Sequence, residues 1–295
     1  MTPPPCPYTQ LGDARAGDPV PDDARADVTA HYDRHGALTE RIVTALREAG
    51  GDPTDARALQ PLDQFHLGGP EATRALAERV GIADTDVLDL GCGVGGPARM
   101  LAQDFGCTVA GLDLTESYCR TAAELSRLVG LAERTRFVCA SAHVLPFADQ
   151  AWPWVWTQHA AMNIPDKPRM YAEVARMLAP GGRFVLYDIV AGPVREPHFP
   201  VPWASAPSGS FLLPGNTIHA MIRAAGLREL LWHDKTAEAV QTVRDSRARR
   251  QAGAPEPLGP QTVMGPEFLQ MRKNLARNLE EGRVGVVQAV FERPR

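Results

Sequence analysis

Several features are scarce in this sequence of 295 residues, and each scarcity removes a class of protein. The five cysteines (Cys6, Cys92, Cys107, Cys119, Cys139) are odd in number and form no C-x-x-C pair, which argues against a disulfide framework and against a structural zinc site. No metal is expected. Cys92, set among glycines, reads as a small side chain filling a tight turn rather than as a nucleophile. The chain lacks an apolar run of the ~18 residues that a membrane span needs, and its first residues lack a basic-then-apolar signal pattern. Positive charge is not in excess: the formal net charge is -4, so the chain is not the polycation that nucleic-acid binding favours. What is present instead, 44% hydrophobic and 22% charged residues, is the profile of a cytoplasmic enzyme with no nucleic acid or membrane as partner. The length suits one large α/β domain carrying a cap.

Residues 1–27 are rich in Pro, Asp, Ala and Gly without an apolar period, and are expected to form a mobile leader. Residues 28–69 read as a helical cap segment: Leu38, Ile42, Val43 and Leu46 recur at helical spacing between Val28 and Ala49, and Gly50-Gly51 stops the helix. From residue 70 the chain opens a helix over 70–80 and then alternates. Strands are expected at 86–90, 108–112, 135–139, 153–157, 183–190, 227–233 and 284–291, with helices at 95–105, 115–130 and 166–179 between them. That rhythm predicts a Rossmann-like, mostly parallel sheet covered on both faces, with ligands at the carboxyl ends of the strands. Two insertions interrupt it and are expected to act as lids: 191–216, with six prolines, and 234–283, two helices around a Pro/Gly linker.

The stretch VLDLGCGVGG at 87–96 admits two parses. Gly91, Gly93 and Gly96 fit the dinucleotide pattern G-x-G-x-x-G, whereas Asp89, Gly91, Gly93 and Gly95 fit acid-x-G-x-G-x-G. A dinucleotide brings an anionic pyrophosphate to such a turn, while a sulfonium cofactor brings only cations near it. An acid two residues before the first glycine suits the cation. Asp113, 22 residues after Gly91, can accept two ribose hydroxyls from either ligand. A nicotinamide-dependent dehydrogenase therefore stays open on these residues alone.

Five segments in order carry a resemblance: VLDLGCGVGGPARMLA, GLDLTESYC, ASAHVLPFAD, WVWTQHAAMNIPDK and YAEVARMLAPGGRFVLYDIV. From about Leu62 to Phe291 the chain resembles the class I S-adenosylmethionine-dependent methyltransferases, in particular small-molecule members such as the sarcosine and dimethylglycine N-methyltransferases, the tocopherol-type enzymes and the sugar O-methyltransferases. The resemblance implies a seven-stranded sheet with an antiparallel last strand and S-adenosyl-L-methionine as cofactor. It assigns the methionine part to Asp89 and the Gly91, Gly93, Gly95 turn, the ribose to Asp113 with Leu114 beside it, the adenine to Ser141 and Ala142, and a flanking place to Gln158. Where relatives place Gly-Asp-Ala this chain has Ala140-Ser141-Ala142, and a neutral acceptor gives up about 1 kcal/mol of charge-assisted bonding. Modest cofactor affinity is the consequence. The resemblance also leaves room for a cofactor-binding cyclase or binding protein of the same fold.

Methyl transfer needs alignment and exclusion of water more than acid–base power, but a base helps when the acceptor must lose a proton. His159 and His66 are the catalytic candidates, with His31 and His198 weaker ones; Tyr32, Phe65, His198 and Trp203 are candidates for the substrate wall. The sugar O-methyltransferases carry a His-His base pair just before Pro-Asp, and this chain has Met162-Asn163 there, which tilts expectation from a hydroxyl acceptor toward an amine nitrogen or an electron-rich carbon. A homo-oligomer is compatible with the leader exchanging between subunits.

Overall fold

The computed structural model describes residues 27–31, 37–194, 196–254 and 257–295. The leader expected over residues 1–27, but for its last residue, and Tyr32 lie outside the described residues.

The expected sheet is what the structure holds. Its strands are β1 (Asp86–Leu90), β2 (Thr108–Asp113), β3 (Thr135–Cys139), β4 (Trp152–Gln158), β5 (Leu178–Ala191), β6 (Arg228–Asp234) and β7 (Val284–Glu292). They lie in the order β3-β2-β1-β4-β5-β7-β6. The pairs among β1 to β5 are parallel, and β7 runs antiparallel to both β5 and β6. The chain reverses direction of travel across the sheet between β1 and β4, and a switch of that kind opens a crevice at the strand ends where ligands bind.

Two-residue alternation sends neighbouring side chains into different cores. Val87, Val109, Trp156 and Val185 join one buried cluster with Leu76, Ala98 and Leu101. Leu88, Ala110, Val155 and Leu186 join the opposite one with Met170, Tyr171 and Val174. Both faces are covered, which is why these strands read as nearly unbroken apolar runs. The helices that cover them include α3 (Gly69–Val80), α4 (Gly96–Phe105), α5 (Glu116–Leu128), α6 (Lys167–Met177) and α7 (Gly215–Ala224).

A third cluster is made by segments remote in sequence. Leu38, Ile42 and Leu46 of α1 (Leu38–Glu48) and Leu59 and Leu62 of α2 (Ala56–Asp63) are buried with Val263 and Met264 of α9 (Pro260–Met264) and Phe268 and Met271 of α10 (Glu267–Glu280). α8 (Thr236–Gln251) leads into them from β6. The expected first helix is thus shorter than Val28–Ala49 within the described residues, with a separate turn of helix at 27–31. α2 has no counterpart among the expected helices: it has 8 residues, contains Pro61, and starts on the Asp55 side chain, which accepts the Arg57 N–H at 2.9 Å. No described helix is long and apolar enough to cross a membrane.

Candidate active site

The glycine turn joins β1 to α4. Leu112 O accepts the N–H groups of Gly91 and Cys92 at 2.7 and 3.0 Å, so the turn folds back against the end of β2. Gly91, Gly93 and Gly95 all have positive φ (74°, 55° and 80°), a region that costs a side chain strain. Space separates their roles. A Cβ on Gly91 would lie 2.2 Å from Ala160 Cβ, and one on Gly95 2.8 Å from Phe137, but one on Gly93 would meet nothing within 4 Å. Gly91 and Gly95 are small for the protein's own packing; Gly93 leaves open the space a ligand would use.

Two carboxylates flank this turn. Asp113 at the end of β2 accepts the Gly93 N–H at 2.9 Å through Oδ2 and the Thr115 N–H at 2.9 Å through Oδ1. Asp89 is buried at 1% exposure and its Oδ2 has no hydrogen-bond partner among the described residues. Burial, reinforced by the charge of Asp113, pushes the Asp89 carboxyl up to about 8, while burial alone raises Asp113 against its amide bonds. A lone buried oxygen with a like charge beside it is unfavourable toward an anion and favourable toward a cation. The pyrophosphate of a dinucleotide does not fit here, and a cationic amino acid moiety does. The charge of the donor set and the open space at Gly93 therefore fit S-adenosylmethionine better than a dinucleotide.

From this turn a cavity of about 700 Å³ extends toward the third cluster, within the range of small-molecule sites. The structure brings into its walls Gly91, Gly93, Asp113, Leu114, Ser141, Ala142 and Gln158 on the cofactor side, and His66, His159, Phe65 and Trp203 on the other. Asp89 and Gly95 lie behind the wall. His198 is not brought in: its Nε2 lies 2.9 Å from Glu281 Oε2 and its N–H donates to Asn278 Oδ1 at 2.7 Å, an arrangement that pins the proline-rich segment to α10. His31 is likewise engaged elsewhere, with Ser205 Oγ at 2.9 Å and Pro202 O at 3.1 Å.

His159 and His66 face each other edge to face, ring centroids 5.9 Å apart, with Tyr187 4.8 Å from His159. Burial lowers both imidazoles, His66 to about 4 and His159 well below the usual histidine range, so both are neutral at pH 7. Ser141 Oγ accepts the His143 N–H at 3.3 Å and remains in the cavity wall. Trp203 is buried and donates its indole N–H to Ser210 Oγ at 2.9 Å.

Sequence reasoning missed the groups that hold these side chains. Arg99 of α4 and Asp63 of α2, each 1% exposed, form an ion pair at 2.8 Å, and Arg99 also donates to Val94 O inside the glycine turn at 2.7 Å. Lys167 directs its ammonium at the carbonyls of Ala161, Ile164 and Phe211, at 2.7, 2.8 and 2.6 Å, tying the turn after β4 to the proline-rich segment. Asn163, one of the two residues standing where a His-His pair was looked for, donates to Trp203 O and Gly209 O at 2.8 and 2.9 Å, so it holds that same segment. A buried polar chain links Gln64, Thr73, Gln158 and Trp156, the indole N–H fixing Gln158 Oε1 as an acceptor at 2.8 Å. The only foretaste of these in the sequence was the run LDQFH around His66.

Known proteins agree with this architecture. Residues 88–186 match the methyltransferase domain family. Methyltransferase GfsG of Streptomyces halstedii is 34% identical over 181 residues, 61% of this chain and 64% of that relative, so the match spans a little under two thirds of the relative's length. Among solved structures, the [4+2]-cyclase SpnF superposes with a TM-score of 0.60 at 23% identity, covering 86% of this chain and 93% of the other. Geranyl diphosphate C-methyltransferase from Streptomyces coelicolor A3(2) superposes at 0.67 with 18% identity, covering 94% and 100%. At such identities the two structures speak for the fold. Taken with the strand order and the glycine turn, the matches show a methyltransferase domain over residues 88–186, similar to the class I S-adenosylmethionine-dependent methyltransferases.

Proposed function

We propose that the chain is an S-adenosylmethionine-dependent methyltransferase that acts on a small molecule held in the cavity between the glycine turn and the third helical cluster, in bacterial specialised metabolism. The observation that carries the proposal is the unpartnered, buried oxygen of Asp89 next to a turn that stays open at Gly93. The alanine- and proline-rich composition and the likeness to a Streptomyces methyltransferase support the metabolic setting.

When bound, the cofactor supplies an activated methyl carbon. The protein's share is positioning and exclusion of water. Asp89 and Asp113 hold the donor at the strand ends. Phe65, Trp203 and Met264 give the acceptor side an apolar wall, and His66 and His159 are its polar points. The segments 28–69, 191–216 and 234–283 serve as cap and lid: the first and third pack together, and the second is tied to the third through His198, Asn274 and Asn278 and to the turn after β4 through Asn163 and Lys167. The use of Asn163 in holding the lid speaks against the base pair that a sugar hydroxyl would need and favours an electron-rich acceptor.

Calorimetry with S-adenosylhomocysteine and with NADH checks the donor half: binding of the first and not the second is expected, and the reverse would defeat the proposal. A second reading keeps the cofactor and drops the transfer; what favours it is the fold shared with a protein named a [4+2]-cyclase. Mass spectrometry of products from a panel of candidate acceptors separates the two, because transfer adds one methylene to the acceptor and cyclisation adds nothing.

A further inference from the structure

The partners of His66 and His159 fix where each ring carries its proton, and they fix the two rings for different tasks. The Leu67 N–H donates to Nδ1 of His159 at 3.2 Å. A backbone N–H is only a donor, so Nδ1 holds a lone pair and the proton of this neutral ring sits on Nε2. That Nε2–H is buried and has no hydrogen-bond partner among the described residues. Leu67 is itself held, since Tyr187 Oη donates to Leu67 O at 3.1 Å.

His66 is locked by the opposite kind of partner. Its Nε2 lies 3.0 Å from Gly69 O, which can only accept, so Nε2 carries the proton. Thr73 Oγ1, also 3.0 Å away, spends its own hydrogen on the Gln oxygens and offers a lone pair to the same N–H. Nδ1 of His66 is left with a lone pair and no hydrogen bond among the described residues. Both residues line the cavity, and the two rings therefore have the same tautomer but leave unlike groups unused: a donor at His159 Nε2 and an acceptor at His66 Nδ1.

We propose that this pair receives an acidic hydroxyl, the O–H of an enol or a phenol on an otherwise apolar molecule, its oxygen accepting from His159 and its hydrogen donated to His66. The inference rests on the methyltransferase reading and narrows it to a substrate class. An ammonium is a poor match, because it has no lone pair for the His159 N–H. An aliphatic alcohol is a poor match as well, because burial makes His66 a weak base and a weak base suits an O–H that leaves easily. In the step, the O–H bond breaks and its proton passes to His66 Nδ1. Its electron pair stays on the oxygen and is shared with the conjugated carbon, so either atom can form the new bond to the methyl group. The developing oxygen charge is met by His159 Nε2–H. Phe65, Trp203, Met264, Phe268 and Leu275 supply the apolar surroundings.

The test needs neither cofactor nor turnover. In protein labelled with ¹⁵N-histidine, long-range proton–nitrogen correlation spectra at pH 6 read the protonated nitrogen of each ring, with His66→Asn and His159→Gln assigning the two among the eight histidines. Both rings are expected as neutral Nε2–H. Titration with 4-nitrophenol is then expected to shift His66 Nδ1 and His159 Nε2 together, and nitrobenzene, of similar shape without the hydroxyl, to shift neither. A proton on Nδ1 of either ring, an equal response to both probes, or no response to 4-nitrophenol would overturn the assignment. Failure of the methyltransferase reading would appear instead as absence of S-adenosylhomocysteine binding, a separate measurement on the same sample.

Discussion

The two ends of the cavity are built by different means. The cofactor end is one turn of backbone: Gly91 to Gly95 fold against the end of β2, and its specificity comes from where a Cβ is absent and where a carboxylate is left without a partner. The acceptor end is assembled from α2, α8, α9, α10 and the proline-rich segment, with α1 packed against α2 and α9, elements that are remote in the sequence and meet through side chains and side-chain to main-chain bonds. The first end tolerates almost no change in shape. The second can be rebuilt residue by residue around a different molecule, because nothing in it depends on a contiguous motif.

The largest expected effect lies at the seam between them. Asp63 belongs to α2 and Arg99 to α4, and breaking a fully buried ion pair by removing one partner leaves an uncompensated charge, at a cost of about 3–5 kcal/mol. Arg99→Met is expected to destabilise by that much in urea denaturation, while the double change Asp63→Leu with Arg99→Met recovers most of it. If the double variant is no better than the single one, the pair is not what joins the two ends.

Within the cofactor end, Gly91→Ala and Gly93→Ala should part company. Both impose positive φ on alanine, at about 1 kcal/mol, but only at Gly91 does the new methyl meet another atom, 2.2 Å from Ala160 Cβ. Gly91→Ala is expected to lose about 2–4 kcal/mol of stability by thermal unfolding. Gly93→Ala is expected to lose about 1 kcal/mol yet weaken S-adenosylhomocysteine binding in calorimetry by at least tenfold, since its methyl enters the open space. Equal stability losses for the two would mean that the turn is uniformly packed.

How much of this the sequence revealed follows the same division. Strands β1, β2 and β7 were legible as apolar runs because both their faces are buried, and the glycines were legible because the demand on them is local and backbone-made. β5 starts five residues before the expected strand: Leu178 already pairs with Trp152 across an irregular register, which the Pro180-Gly181-Gly182 signal concealed. α2 went unread because its length and its proline weaken the helical period. His66 and His159 were visible as residues, but both were taken as bases. Their proton positions depend on Gly69 O and on a Leu67 peptide braced by Tyr187, 120 residues away, and no local pattern encodes that.

Asp89 ties stability and binding together with opposite signs. Its folded value near 8 lies above the ordinary 3.8, so the folded state holds this proton more tightly than the unfolded one, and the group costs stability as pH rises from about 4 to about 8. Asp89→Asn is expected to stabilise the cofactor-free protein by about 1–3 kcal/mol at pH 8 relative to wild type, with the advantage shrinking toward pH 5. The same change removes the charge that a cationic donor needs and should weaken S-adenosylmethionine binding one to two orders of magnitude. In the wild-type protein, binding should release a proton and tighten as pH rises to about 8. Calorimetry in buffers of different ionisation enthalpy reads that proton directly, and its absence would mean that the cation does not meet Asp89.

The smallest effect concerns the adenine end, where the cofactor half departs from its relatives. Ser141 stands in the cavity wall at the end of β3, and its hydroxyl oxygen is partly used by the His143 N–H, at 3.3 Å. An aspartate at this position would offer a charged acceptor with lone pairs enough for both the backbone amide and an adenine amino group. The gain expected is the difference between a charge-assisted and a neutral bond, about 1 kcal/mol, or roughly fivefold in Kd. Ser141→Asp should therefore tighten S-adenosylhomocysteine binding by that factor in calorimetry and leave 4-nitrophenol binding unchanged, because the acceptor end shares no side chain with it. Tightening of both ligands together would show that the two ends of the cavity are coupled through the wall at Ser141 and Ala142.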